Sequence, residues 1–233
     1  MIYFTGDIHG DPKRIIRFCK RMNLTKNDVI VILGDVGANF YGDKRDDYMK
    51  KQLAVLNTTI LCIHGNHEMR PWHIEGYELK EWLGGKVYVQ SKYPNLLFAK
   101  DGEIFEINGL KYIAIGGAYS VDKYYRLRLG RGWWEDEQPS EEIKAYFESQ
   151  ISNNKIDVVL SHTCPLKYEP KEMFLPMVDQ SSVDQSTEIW LDSIEEKVDY
   201  RAWFCGHWHT DKRIDRIHFL YNGFESEENF HEK

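Results

Sequence analysis

A chain of 233 residues is long enough to bury one sizeable α/β core or two small ones, and its formal charge of −7 excludes a protein that coats nucleic acid or anionic membrane by bulk charge. Four cysteines, Cys19, Cys62, Cys164 and Cys205, show no paired metal-type spacing and predict reduced thiols. Met1 leads directly into an apolar run, with no basic segment and no stretch long enough to span a bilayer, so the expectation is a single domain over residues 1-233, cytoplasmic and without a membrane partner.

Ile2-Tyr3-Phe4 predicts a short strand that empties into Gly6-Asp7-Ile8-His9-Gly10. Asp7 and His9 point the same way if the backbone stays extended, so both can grip one cation. Asp11-Pro12 reads as a helix N-cap and first helical residue, and Ile15, Ile16, Phe18, Cys19 and Met22 give that helix an apolar face. Val29-Ile30-Val31-Ile32-Leu33 is a continuous β-branched run, suited to a strand covered on both faces, and it ends in Gly34-Asp35. Residues 43-56 predict a charged amphipathic helix, and Thr59 to Ile63 a third strand that runs out into His64-Gly65-Asn66-His67-Glu68. Three such endings separated by helices predict a parallel sheet with its polar endings along one edge.

Short strands follow around Val87 to Val89 and Leu96 to Ala99, and Ile104 to Ile107, Asn108-Gly109 and Tyr112 to Ile115 form the clearest hairpin signal. Antiparallel pairing and a second sheet packed on the first are expected from this stretch. Residues 122-139 predict a long loop carrying Arg126, Arg128, Arg131 and the pair Trp133-Trp134, which is expected to pack the loop onto the domain. A helix is predicted from Ser140 to about Ile151, and the strand Asp157 to Leu160 ends in Ser161-His162. Residues 164-186 read as a second loop, whose Met173, Phe174 and Met177 could wall a cleft. A helix over 187-198, the strand Ala202 to Cys205 ending in Gly206-His207-Trp208-His209, one edge strand over 213-221 and a loose tail over 225-233 complete the chain.

Five strand endings therefore present Asp7 and His9, Asp35, Asn66 and His67, His162, and His207 and His209. Each alone has an ordinary explanation as a helix cap, a turn residue or a hydrogen-bonded core histidine. Together, oxygen and nitrogen donors beside glycines on one sheet edge point to a metal site. His64, His73 and His218 fall outside these endings and read as structural.

In order and spacing, Gly6-Asp7-Ile8-His9-Gly10, Gly34-Asp35, Gly65-Asn66-His67-Glu68, Ser161-His162 and Gly206-His207-Trp208-His209 resemble the motifs of the calcineurin-like metallophosphoesterases, over nearly the whole chain from Ile2 to about Tyr221. The resemblance implies a four-layer α-β-β-α sandwich of two mixed β-sheets. It implies one metal held by Asp7, His9 and His209, another by Asn66, His162 and His207, and Asp35 bridging them. Phosphomonoester or phosphodiester hydrolysis would then proceed by attack of a hydroxide bridging two cations about 3.5–4 Å apart, with His67 as general acid to the leaving alkoxide. The donor set suits two divalent ions, manganese first, with iron, Zn²⁺, Ni²⁺ or Mg²⁺ as alternatives and Ca²⁺ disfavoured.

The Gly-Asp-x-His-Gly and Gly-Asn-His-Glu forms are similar to those of the protein-phosphatase and diadenosine-tetraphosphatase branch, but where that branch carries a phosphate-binding Arg this chain has Asn39. Asn39 and one of Arg126, Arg128 or Arg131 are therefore the candidate substrate-binding residues, Arg because it can grip two phosphoryl oxygens at once. Two other readings stay open: a nuclease for short or single-stranded nucleic acid, and a non-catalytic scaffold of the same fold. The acidic balance counts against the first and the complete ligand set against the second.

Overall fold

The apolar runs become strands because both of their faces are covered. In the computed structural model, which describes residues 1–230, these strands are β1 (Ile2–Thr5), β2 (Val29–Ile32), β3 (Thr59–Cys62), β4 (Tyr77–Trp82), β5 (Gly85–Gln90) and β6 (Leu96–Ala99). They continue as β7 (Ile104–Ile107), β8 (Leu110–Ile115), β9 (Val158–Ser161), β10 (Ala202–Cys205), β11 (Lys212–Ile214), β12 (Ile217–Phe219) and β13 (Glu225–Ser226). Among the described residues they form a seven-stranded sheet, in the order β13-β1-β2-β3-β6-β5-β4, and a six-stranded sheet, in the order β11-β12-β10-β9-β8-β7. Both are mixed. β1, β2, β3 and β6 run parallel, as do β8, β9, β10 and β12, while β4, β5, β7, β11 and β13 pair antiparallel.

Alternation along each central strand divides the core into three layers. Phe4, Val31, Leu61, Tyr112, Leu160 and Phe204 meet between the sheets. The opposite faces of β2 and β3, through Ile30, Ile32, Ile60 and Cys62, bury Ile15 and Phe18 of helix α1 (Lys13–Met22) and Met49 and Leu53 of α2 (Asp47–Ala54). Behind the second sheet, Ile113, Val159, Trp203 and Phe219 bury Leu191 and Ile194 of α5 (Ser186–Glu195) and Phe147 of α4 (Glu141–Asn153). The expected α-β-β-α sandwich is the observed one. All four cysteines are buried and free, and no helix among the described residues is long and apolar enough to cross a membrane.

Several elements depart from expectation. The antiparallel switch begins inside the first sheet, at β4 to β6, and the second sheet starts only at β7. The loop over 122-139 contains a short helix, α3 (Lys123–Arg128), and residues 164-186 hold three single 3₁₀ turns. The expected edge strand over 213-221 is a hairpin whose second arm, β12, lies beside β10. Nor is the tail loose where it is described: β13 pairs with β1, Glu225 meets the His218 ring at 2.7 Å, and Glu227 accepts a 2.6 Å hydrogen bond from Asn108. Residues 231-233 of that expected tail lie outside the described residues.

The stacked Phe4 and Phe204 rings, centroids 4.0 Å apart, join the two sheets. Phe204→Ala is expected to lower unfolding free energy by about 3–5 kcal/mol in urea titration. A loss under about 1 kcal/mol would mean that this layer closes over the gap.

Candidate metal centre

Strand endings of both sheets meet at one place. Asp7 follows β1, Asp35 follows β2, Asn66 and His67 follow β3, His162 follows β9, and His207 and His209 follow β10. Hydrogen bonds between these loops set the geometry. The His162 Nδ1–H donates to the Leu33 carbonyl at 2.7 Å, the His207 N–H to Asp7 Oδ1 at 2.9 Å, and the His67 N–H to Asp35 Oδ1 at 2.7 Å. Glycines allow the close approach: a Cβ on Gly34 would stand 2.1 Å from His162 Nδ1, and one on Gly65 would stand 2.1 Å from Asp35 Oδ1.

The sequence expectation that Asp7 and His9 converge through an extended backbone does not hold. His9 has φ +44°, and its ring returns toward Asp7 through a turn, with Nε2 3.8 Å from Asp7 Oδ2. Asp35, His207 and His209 also sit in the left-handed region, at φ +48°, +64° and +49°. Non-glycine residues held there cost on the order of 1–3 kcal/mol each, and such strain gathers at functional sites.

The donors fall into two groups. Asp7, His9 and His209 form the first: His209 Nε2 lies 3.3 Å from Asp7 Oδ2 and 2.9 Å from His9 Nε2. Asn66 Oδ1 and His162 Nε2, 2.9 Å apart, form the second, with the His207 ring centroid 5.0 Å from that of His162. Asp35 stands between them, Oδ2 3.9 Å from His9 Nδ1 and Oδ1 3.6 Å from His162 Nε2.

A cation fits this donor set. Leu33 O can only accept, so His162 carries a proton on Nδ1, and in its neutral form aims the Nε2 lone pair at Asn66 Oδ1 and Asp35 Oδ1. Asn66 is held in that sense by its other end, where Nδ2 donates to Ser120 Oγ at 2.9 Å and Ser120 in turn donates to Glu137. Asp7 Oδ2 is buried and receives no well-aligned hydrogen bond. Acceptors turned on one another need positive charge between them.

Electrostatics follow from burial. Burial pushes the Asp7 carboxyl up, but the His209 ring, the charges of His162 and His9 and the His207 N–H outweigh it and hold Asp7 well below the usual range. The nearby Asp7 carboxylate in turn raises His209. His207 is pushed well down by burial and by its neighbour His162, and His67 is lowered by burial and by Arg126, against the opposing charge of Asp35.

Of the candidate substrate-binding residues, Arg126 alone reaches the site. It is buried, donates to the carbonyls of Asn66 at 3.1 Å and Gly132 at 2.8 Å, pairs with Asp122 at 2.6 Å, and sets a guanidinium nitrogen against His67 Nε2. Arg128 and Arg131 are exposed and line none of the cavities beside the centre. Asn39 is corrected outright: it is fully buried and its Oδ1 accepts from the Tyr77 hydroxyl at 2.8 Å, so it faces the core. Trp134 packs edge-on against Phe40 at 5.7 Å, and Met173 and Phe174 line a cavity beside the centre, whereas Met177 is exposed outside it.

Sequence reading missed Ser120, Glu137 and Glu68. The first two are distant in sequence and carry no motif. Glu68 stood within a quoted motif, but its task, accepting from the N–H groups of Val36 at 3.3 Å and Gly65 at 3.2 Å to join two ligand loops, has no sequence signature.

The sequence matches the family described as calcineurin-like phosphoesterase over residues 1–211. No curated protein matches it in sequence. One solved structure, 10% identical, is similar with a TM-score of 0.51 over 94% of this chain and 88% of that one, a likeness of fold alone. Phosphopantetheinyl hydrolase (PptH) from Mycobacterium tuberculosis is 11% identical with a TM-score of 0.48, over 94% of this chain and 87% of its own. A protein of unknown function from Aquifex aeolicus is 14% identical with a TM-score of 0.41, over 95% and 89%. These last two add no argument.

Burial, and then the charge of Asp35, push the Glu68 carboxyl up to about 8. Its unfolded counterpart ionises near the ordinary value, so stability attributable to Glu68 is full below about pH 4.5 and is lost as pH rises toward 8, at about 1.4 kcal/mol per pH unit. Glu68→Gln keeps an acceptor for Val36 and Gly65 and cannot ionise. Urea unfolding of the metal-free protein from about pH 5 to about pH 8 should show this slope in the wild type relative to Glu68→Gln. Parallel profiles would refute it.

Proposed function

This chain belongs to the calcineurin-like phosphoesterase family, and we propose that it hydrolyses phosphoric mono- or diesters with two divalent metal ions, one held by Asp7, His9 and His209 and the other by Asn66, His162 and His207. The observation that carries this reading is the place of Asp35, whose two carboxylate oxygens face His9 on one side and His162 on the other. When bound, such a pair lowers the pKa of water and draws charge from the phosphoryl group. Manganese is the first choice of metal, with iron, zinc, nickel or magnesium as alternatives.

The remaining work falls to side chains. His67 borders the cavity beside the metal centre and serves as proton donor to the leaving oxygen. Arg126 sets a guanidinium nitrogen against His67 Nε2 and so fixes the ring, which must take up a second proton before it can pass one to the leaving oxygen. Ser120 and Glu137 keep the Asn66 carbonyl turned inward.

Metal analysis and steady-state kinetics on two variants test the reading. Asp35→Ala is expected to lose metal and activity together. His67→Asn should keep its metal and lose about 10²–10⁴-fold in kcat. An Asp35→Ala protein with full metal content and full activity would end the proposal.

A further inference from the structure

The cavity beside Asp35 and His67 has a volume of about 370 Å³. Beyond His67 and the proposed metal ligands its wall is mostly apolar and aromatic, with Tyr119, Val121, Phe174, Leu175 and Trp208, interrupted by the amide of Gln180. Its rings lead outward from the metal centre, because Trp208 lies edge-on to His207 at 5.2 Å and Phe174 stacks on Trp208 at 5.7 Å with 23° between planes. Flat groups stack on such a surface. Among the described residues no Lys or Arg lines this cavity, and apart from the metal centre its charged residue is an acid, Asp122.

Two neighbouring guanidinium groups already have partners. Arg126 is buried with its nitrogens turned to Asn66 O, Gly132 O, Asp122 and His67. Arg45, in a second cavity of about 450 Å³ on the other side of His67, is bonded to Asp43 and stacked 4.1 Å over the Tyr41 ring. That second cavity is walled by Phe40, Tyr41, Tyr48 and Met49. A substrate whose organic part bears further negative charge would find no cation in this cavity wall to receive it, Asp122 being already paired with Arg126. A monoester dianion likewise finds no free guanidinium for its extra charge. A diester brings one negative charge and two substituents, and there are two cavities flanking His67 to receive them.

We propose that the substrate is a singly charged phosphodiester whose leaving group is a flat, uncharged ring alcohol seated against Phe174 and Trp208. This rests on the metallophosphoesterase reading above and names the substrate class of the same site.

With manganese supplied, bis(p-nitrophenyl) phosphate is expected to exceed p-nitrophenyl phosphate in kcat/KM by at least about tenfold, and a short single-stranded oligonucleotide to be cut more slowly than either. Phe174→Ala should raise KM for the diester about tenfold with kcat within about twofold, the signature of lost ground-state binding. Asp122→Asn should narrow the diester-to-monoester ratio. A second measurement needs no metal: p-nitrophenol, at an acidic pH that keeps it uncharged, should quench tryptophan fluorescence saturably in the wild type, and Phe174→Ala and Trp208→Phe should each abolish that saturable part. Preference for the monoester or the oligonucleotide, in a protein whose Asp35→Ala variant is inactive, overturns this inference and leaves the metallophosphoesterase reading standing. Failure to hydrolyse any ester with any of the metals overturns both.

Discussion

Two carboxylates, Asp7 and Asp35, are buried to 1% and 2% exposure with oxygens within 4.8 Å of each other and of a His162 ring nitrogen. Like charges that close in a medium of low dielectric repel strongly, and the fold must hold them there. It does so by making each carboxylate a tie between loops. Asp7, after the first strand of one sheet, accepts from the backbone of His207 after a strand of the other; Asp35 accepts from the backbone of His67. His162 adds a second crossing, from the second sheet to the Leu33 carbonyl in the first. The edges of the two sheets are latched by the groups that would hold the metals, so cation binding there would be linked to the closure of this edge.

That closure needs a rigid support, since four of the participating residues sit in left-handed backbone. Local strain of this kind persists only where surrounding structure over-determines it. Here each strained loop leaves a strand whose faces are covered, by the layer between the sheets on one side and by helices on the other. The strands cannot slide to relieve their loops without moving every alternate side chain out of its layer.

Central strands and the cluster of Asp, Asn and His residues were legible in the sequence for the same reason. A buried parallel strand has to be short and continuously apolar, and the polar residue after it stands out, as at Val29 to Asp35 or Ala202 to His207. Peripheral elements lack that contrast. β4, Tyr-Glu-Leu-Lys-Glu-Trp, is an exposed edge strand that a surface segment could match residue for residue, and its pairing with β5 is a matter of backbone bonds. β13 is two polar residues, and the acids at this end of the chain, Glu225 and Glu227, bond to His218 and to the distant Asn108. In the site, residue identity was readable and orientation was not. Asn39 and Arg126 both looked able to hold phosphate, but Asn39 is turned into the core by Tyr77, while Arg126 is drawn inward by two carbonyls. The path of His9 escaped sequence reading for a related reason, because alternation governs side chains only while the strand lasts, and β1 ends at Thr5.

The fate of Arg126 bears on what the centre can recognise. A guanidinium is an effective phosphate clamp when its paired N–H groups are free and face the ligand. In Arg126 one nitrogen serves two backbone carbonyls, and the other lies between Asp122 and His67. Freeing it for substrate would strip acceptors from buried donors and leave Asp122 without its partner, penalties as large as the stabilisation a new bond to phosphate would bring. Its lasting effect therefore falls on His67, whose tautomer it selects and whose affinity for a second proton it lowers. With the proposed metals in place, charge recognition at phosphorus would fall to them, and discrimination among esters to the apolar walls of the neighbouring cavity.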